Sequence, residues 1–205
     1  MVKARAAHSA LRKFTTTPSS GGKMQVTTIS VLTDDLRERA WKLYLQAFDA
    51  LRHLAVQRHV MHGEEFDAVM ADPRVDKFLV YGDDGSLDGL ATLTNDLRSM
   101  PLVSPEWFSH RWPERSAENR VFYIGFVGIH PDAQGSGACA QLVRAMTEVV
   151  SRVDGVAVLD VCRFNKDTMQ LPRLVAALSS SWASHVQMID LDAQTYIGYD
   201  FKRAG

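Results

Sequence analysis

Two cysteines in 205 residues are too few for a disulfide framework. Cys139 and Cys162 also lack the spacing of metal ligands, so a reducing cytoplasm is expected and no metal is. No apolar run reaches the roughly 18 residues of a membrane span, which removes a membrane from the expected partners. An excess of one charge is missing too: Lys and Arg number 23, Asp and Glu 24, for a net charge of −1. That balance hides an asymmetry. Residues 1–24 carry Lys3, Arg5, Arg12, Lys13 and Lys23 and no acid, which leaves 18 basic against 24 acidic residues in the remainder. An acidic body argues against nucleic acid as a partner and mildly favours a cationic substrate such as an amine. No internal repeat is visible.

What is present is 46% apolar residues, enough for one well-buried core. Residues 1–24 are basic, rich in Ser and Thr, and read as a disordered extension. Their composition also resembles a transit peptide, and a start at Met24 is a further reading. The folded domain is expected over 25–205.

Along that stretch, "QVTTISVLT" (25–33) alternates as a strand does. Thr33 is placed to cap a helix whose first turn holds Asp34 and Asp35. Leu36, Ala40, Leu43, Tyr44, Ala47, Phe48 and Leu51 then recur at helical spacing. A second helical stretch falls within 56–71. Residues 77–96 read as a β-hairpin around Asp83-Asp84-Gly85-Ser86. Residues 97–120, with three prolines and two tryptophans, show no period and predict a long irregular connection with a functional purpose. A strand at 121–130, a helix at 137–153 with Leu142, Met146, Val149, Val150 and Val153 inward, a strand at 156–162 and a helix near 167–180 follow. Pro172 is tolerated only near the start of that last helix. The segment "HVQMIDLDAQTYIGYDF" predicts two more strands. Helices interleaved with strands, plus a hairpin, imply a mixed sheet with helices on its faces.

The chemistry concentrates in "IGFVGIHPDAQGSGACAQLVRAM" (124–146): an apolar strand, a turn with two glycines, then a helical pattern. A triphosphate-binding P-loop needs Lys-Ser/Thr after its last glycine, and here Ala138-Cys139 follow Gly137. Gly135-Ser136-Gly137-Ala138-Cys139-Ala140 does fit the dinucleotide pattern G-x-G-x-x-A, with Asp160 at a ribose-binding distance. Against it, five residues separate the strand from the first glycine, and too little chain follows Asp160 for a doubly wound sheet. A third reading needs only backbone donors. A helix N-terminus leaves N–H groups without partners and carries partial positive charge, so it attracts a phosphate. Glycines at 135 and 137 remove the Cβ atoms that would block its approach.

"VGIHPDAQGSGAC" resembles motif A of the GCN5-related N-acetyltransferases: a strand ending in V-x-V/I-x-P, then Gln/Arg-x-x-Gly-x-Gly/Ala opening a helix. Cys139 replaces the usual last Gly or Ala. The order of elements on both sides is similar to the family's. The resemblance implies an α+β fold of three α/β/α layers. Its sheet would be mixed and mostly antiparallel, with helices on both faces and a splayed central strand pair. It implies acetyl-CoA, or another acyl-CoA, as co-substrate and a small-molecule amine as acceptor. A homodimer is compatible with it.

By the same resemblance, Val127, Gly128, Ile129, Gln134, Gly135, Ser136, Gly137, Ala138, Cys139 and Asn165 would bind the cofactor. Asn165 is equally placed to cap the following helix. Alternation puts Tyr123, Gly125, Val127 and Ile129 on one side of the strand. The family's acid on this strand falls on Tyr123, which is a poor base at its ordinary pKa. Tyr123 and Asp96 are the candidate catalytic residues, and Trp107, Phe108 and His110 the candidate substrate pocket. His130 is expected to point outward. Cys139 is expected to pack rather than react, although a helix start favours thiolate. Residues 97–120 also look distantly like the corresponding stretch of acyl-homoserine-lactone and N-acyl amino acid synthases. Met100, Leu102, Val103, Trp107, Phe108 and Trp112 would then line a channel for a longer acyl chain. A coenzyme A sensor without catalysis remains the third alternative.

Overall fold

The computed structural model describes residues 24–58, 60–101 and 103–203, so all but Met24 of the basic tail, and Leu102, lie outside the described residues. Strand β1 (Val26–Ile29) leads to helix α1 (Asp34–Phe48). Thr33 holds the capping position but its hydroxyl makes no capping bond, so Asp34 and Asp35 at the positive end of the dipole favour the start. Ala40, Leu43 and Tyr44 are its buried stripe. A short turn of helix, α2 (Leu51–Leu54), precedes α3 (Gly63–Ala71). The start of α3 is tied by Glu65, which accepts the His62 N–H at 2.7 Å and both Arg58 nitrogens at 2.5 and 2.6 Å. The Arg58 bonds first, and then the His62 N–H, hold the Glu65 carboxyl down at about 2.

The hairpin forms as expected from β2 (Asp76–Tyr81) and β3 (Leu87–Thr94). The expected irregular stretch is instead partly helical, with α4 (Pro105–Arg111) and α5 (Pro113–Ala117). Pro105 and Pro113 start these helices, at the first position, where a missing N–H costs nothing. Ser104 Oγ accepts the Trp107 N–H at 3.3 Å to complete the first of these. Next come β4 (Val121–Ile129), α6 (Ala138–Ser151), β5 (Val156–Val158), a π-helical turn at Phe164–Thr168 and α7 (Leu171–Ser179). Pro172 lies in the first turn of α7. Val153, assigned to the inner stripe of α6, lies past its end and is exposed.

The two strands expected between 185 and 201 do not form. This segment is held by scattered side chains instead. Asp190 pairs with Lys166 at 3.0 Å, Leu191 packs against the cluster of Leu97, Phe108 and Val121, and the Tyr196 hydroxyl reaches Gln57 at 3.2 Å. Anchors that far apart do not make a ladder, and the alternating Ile197, Tyr199 and Phe201 stay exposed.

The sheet runs β1-β2-β3-β4-β5, antiparallel except for the parallel β4–β5 pair. On one face α1 and α3 bury Ala40, Leu43, Tyr44, Phe66 and Met70 against Leu79, Leu90 and Phe126. On the other, α6 buries Leu142, Met146 and Val150 against Phe78, Ala91, Leu93 and Ile124. This is the three-layer mixed sheet expected, with one change: the splayed pair lies at the sheet's edge, because no strand follows β5 among the described residues.

A bulge in β4 corrects a second expectation. Thr92 lies opposite Phe126 and Leu93 opposite Ile124, so Gly125 is an extra residue. One inserted residue reverses the alternation beyond it. Tyr123 therefore shares the α1 side with Phe126 and Gly128, while Val127 and Ile129 turn to α6. The four residues read as one set are two.

Candidate active site

The site begins where two strands part. β4 and β5 pair only at Val121–Val156, Phe122–Ala157 and Tyr123–Val158. β5 ends there, whereas β4 continues to Ile129. Residues 124–129 thus have no strand on their β5 side. Their outward backbone donors and acceptors border a cleft lined by Gly125, Val127, Ile129 and, across it, Leu159 to Asn165. Gly128 itself is buried, and a Cβ there would lie 3.1 Å from the Phe48 ring.

At the upper end of the cleft lies the glycine turn. Gln134 to Gly137 are exposed, and Gly135 and Gly137 have φ of 87° and 100°, a conformation that costs other residues energy. Gly137 caps α6, and a Cβ there would meet nothing within 4 Å. Ser136 Oγ accepts the Ala138 N–H at 3.3 Å. The N–H groups of Gly135, Gly137, Cys139 and Ala140 have no acceptor among the described residues. Four donors at an open helix N-terminus suit a phosphate. Cys139 is half-buried, and burial pushes its thiol up, so the helix start does not make it a thiolate. Both cysteines are free thiols. His130 caps the preceding turn, its Nδ1 accepting the Asp132 N–H at 3.3 Å.

The remaining candidates divide. Tyr123 stands at the fork itself, and its hydroxyl donates to Asp160, just beyond the end of β5. Burial first, and then this bond, push the phenol well above its usual range. Phe108, Val103 and Trp112 belong to the cluster that packs with Tyr123, Trp107 lies against Phe108 with ring centroids 5.0 Å apart, and Met100 Sδ would be 3.7 Å from a Cβ on Gly125. Phe108 and Trp112 stack with centroids 6.2 Å apart. His110 is exposed and is not on the lining. Asp96 is also off it: its carboxylate accepts the Arg98 N–H at 3.2 Å and lies 3.5 Å from Arg74. Asn165 lines the cleft within the π-helical turn, so it does not cap a helix; Arg163 occupies that position. Asp160 was missed as a partner of Tyr123, because no local pattern reports a contact between strands 37 residues apart.

Solved structures superpose on this chain. A ribosomal-protein-alanine N-acetyltransferase from Brucella melitensis biovar Abortus 2308 superposes with a TM-score of 0.51, over 85% of this chain and 100% of that one. The chain has the fold of the GCN5-related N-acetyltransferases. A second structure with this fold, assigned as an acetyltransferase of Pyrococcus horikoshii, gives a TM-score of 0.51 over 74% of this chain and 87% of its own. Identities are 12% and 14%, so the likeness is one of fold and function must be argued from the site. No family model and no curated protein sequence matches the chain. Among the described residues, no helix is long and apolar enough to cross a membrane.

Proposed function

We propose that this protein is an acyl-CoA-dependent N-acyltransferase that passes an acetyl group to a primary amine of a small molecule. The observation that carries the reading is the fork: β4 loses its parallel neighbour beyond Tyr123, within reach of an open helix N-terminus whose N–H groups lack acceptors. The residues fit the co-substrate. The N–H groups of Gly135, Gly137, Cys139 and Ala140 would hold its diphosphate, and the unpaired edge of β4 its amide-bearing arm. Acyl-CoA supplies a thioester carbonyl open to attack by an amine. The β4 edge positions that carbonyl, and the cleft walls keep water from competing. Val103, Trp107, Phe108 and Met100 form an apolar wall that would also suit a longer acyl chain, which remains the second reading.

Calorimetry and thermal shift test the assignment. Acetyl-CoA should raise the melting temperature and NAD should not. Gly137→Asp should weaken coenzyme A binding by roughly 100-fold or more, since it sets a carboxylate where the diphosphate would sit. Unchanged affinity in that variant would sink the site. Comparing acetyl-CoA with decanoyl-CoA as donor separates the two chain lengths.

A further inference from the structure

Among the described residues, Asp160 is the one carboxylate held at the fork by a bond across it. The Tyr123 hydroxyl donates to its Oδ1, and Oδ2 accepts no bond from any described residue. Tyr123 packs with Val158, Trp112, Val103 and Leu191 against the cluster of Leu97, Phe108 and Val121. That cluster lies on the sheet face opposite α6, because the Gly125 bulge keeps Tyr123 on the α1 side. The carboxylate thus stands where the strands part, and the unpaired stretch of β4 separates it from the helix N-terminus assigned to the diphosphate. The cluster packed about Tyr123 is aromatic: Phe108 and Trp112 belong to it, and the Trp107 ring lies 5.0 Å from that of Phe108. An exposed carboxylate beside an apolar aromatic wall has the chemistry of a site for an ammonium group borne on an apolar body.

We propose that Asp160 holds the acceptor's ammonium group and takes its proton, and that the acceptor is a primary alkylamine carrying an aromatic or apolar body. This rests on the acyltransferase reading above. A protonated alkylamine has no lone pair, so it must lose a proton before it attacks. That proton passes to Asp160 Oδ2. The new N–C bond then forms as the C–S bond breaks; sulfur leaves with the bonding pair and takes the second proton from nitrogen. Exposure of Asp160 lets its own proton return to solvent. Tyr123 is a positioning residue. It stays protonated, a donor only, and fixes one oxygen so that the other faces the amine.

The test uses the full chain with coenzyme A bound. Calorimetry with 2-phenylethylamine at neutral pH should show binding at least about tenfold tighter than for its neutral analogue 2-phenylethanol. Asp160→Asn should lose that difference while its coenzyme A affinity stays at the wild-type value. In turnover, the variant's kcat/KM with 2-phenylethylamine and acetyl-CoA should fall by about 100-fold or more. With aniline, already neutral at this pH, the fall should be roughly threefold or less. Tyr123→Phe should raise KM for the amine more than it lowers kcat. Equal binding of the amine and the alcohol by wild-type protein overturns the proposal and requires no variant. So does an Asp160→Asn variant that acetylates both amines as wild type does. Failure of wild type to bind coenzyme A is a different result, and it removes the acyltransferase reading itself.

Discussion

Thr92 is 1% exposed, and its hydroxyl has no hydrogen-bond partner among the described residues. The cause is next door. A Cβ on Gly125 would lie 2.7 Å from that Oγ1, so the bulge is packed directly onto Thr92. A buried donor left without an acceptor costs about 1–3 kcal/mol. Thr92→Val keeps the shape and removes the polar atom, so it should raise stability by about 1 kcal/mol in urea denaturation, with the fold unchanged. A loss of stability would mean the hydroxyl has a partner in solution. Residues of this kind are not legible in a sequence. Thr92 reads as an ordinary strand residue, and only the register of β3 on β4 brings it under the glycine.

Lys77 shows how elements are fastened together. It lies in β2 with no exposed surface, and its Nζ donates to the Ser30 and Asp72 carbonyls at 2.7 Å each. Those carbonyls follow β1 and end α3, so one side chain ties three elements. Burial pushes the ammonium down to about 8, against weaker upward pulls from Asp72 and Asp76. The folded chain therefore gives up this proton before the unfolded chain does. The contribution to stability is full above the ordinary value of 10.5 and is lost as pH falls through about 8. Lys77→Met should abolish the rise in stability over that window, measured as the wild-type-minus-variant difference in denaturation midpoint. A difference that stays flat with pH in the wild type would refute the depressed pKa. At this scale much was legible: α1, the hairpin, β4 and α6 follow from apolar spacing and turn residues. The two helices of the insertion were not, because short helices nucleated by proline and capped by one serine carry no periodic signal. Nor was the absence of strands after 185, since alternation invites a strand but a neighbouring edge must accept it.

For the molecule as a whole, stability on the α1 side rests on one aromatic cluster. Phe66 is fully buried with its ring 5.1, 5.2 and 6.4 Å from those of Trp41, Tyr44 and Phe126. Phe126 belongs to the strand that borders the cleft, so this cluster also sets the back of the site. Phe66→Ala should cost about 3–5 kcal/mol by denaturant unfolding. A cost under about 1 kcal/mol would show that α3 collapses into the gap.

Sequence alone determined α1, the hairpin, β4, the glycine turn and the α6 that it opens, because apolar period and backbone freedom are local properties read over a dozen residues. It also placed Tyr123 and the turn on the same strand-loop-helix unit. Tertiary structure decided which way each side chain of β4 faces, since a single inserted residue at 125 reverses everything after it. It decided that β5 stops at Val158 and leaves the cleft open. It also brought Asp160 to Tyr123 and kept Asp96 and His110 away. Those outcomes depend on register and on the divergence of two backbones, which are set by contacts between residues far apart in the chain.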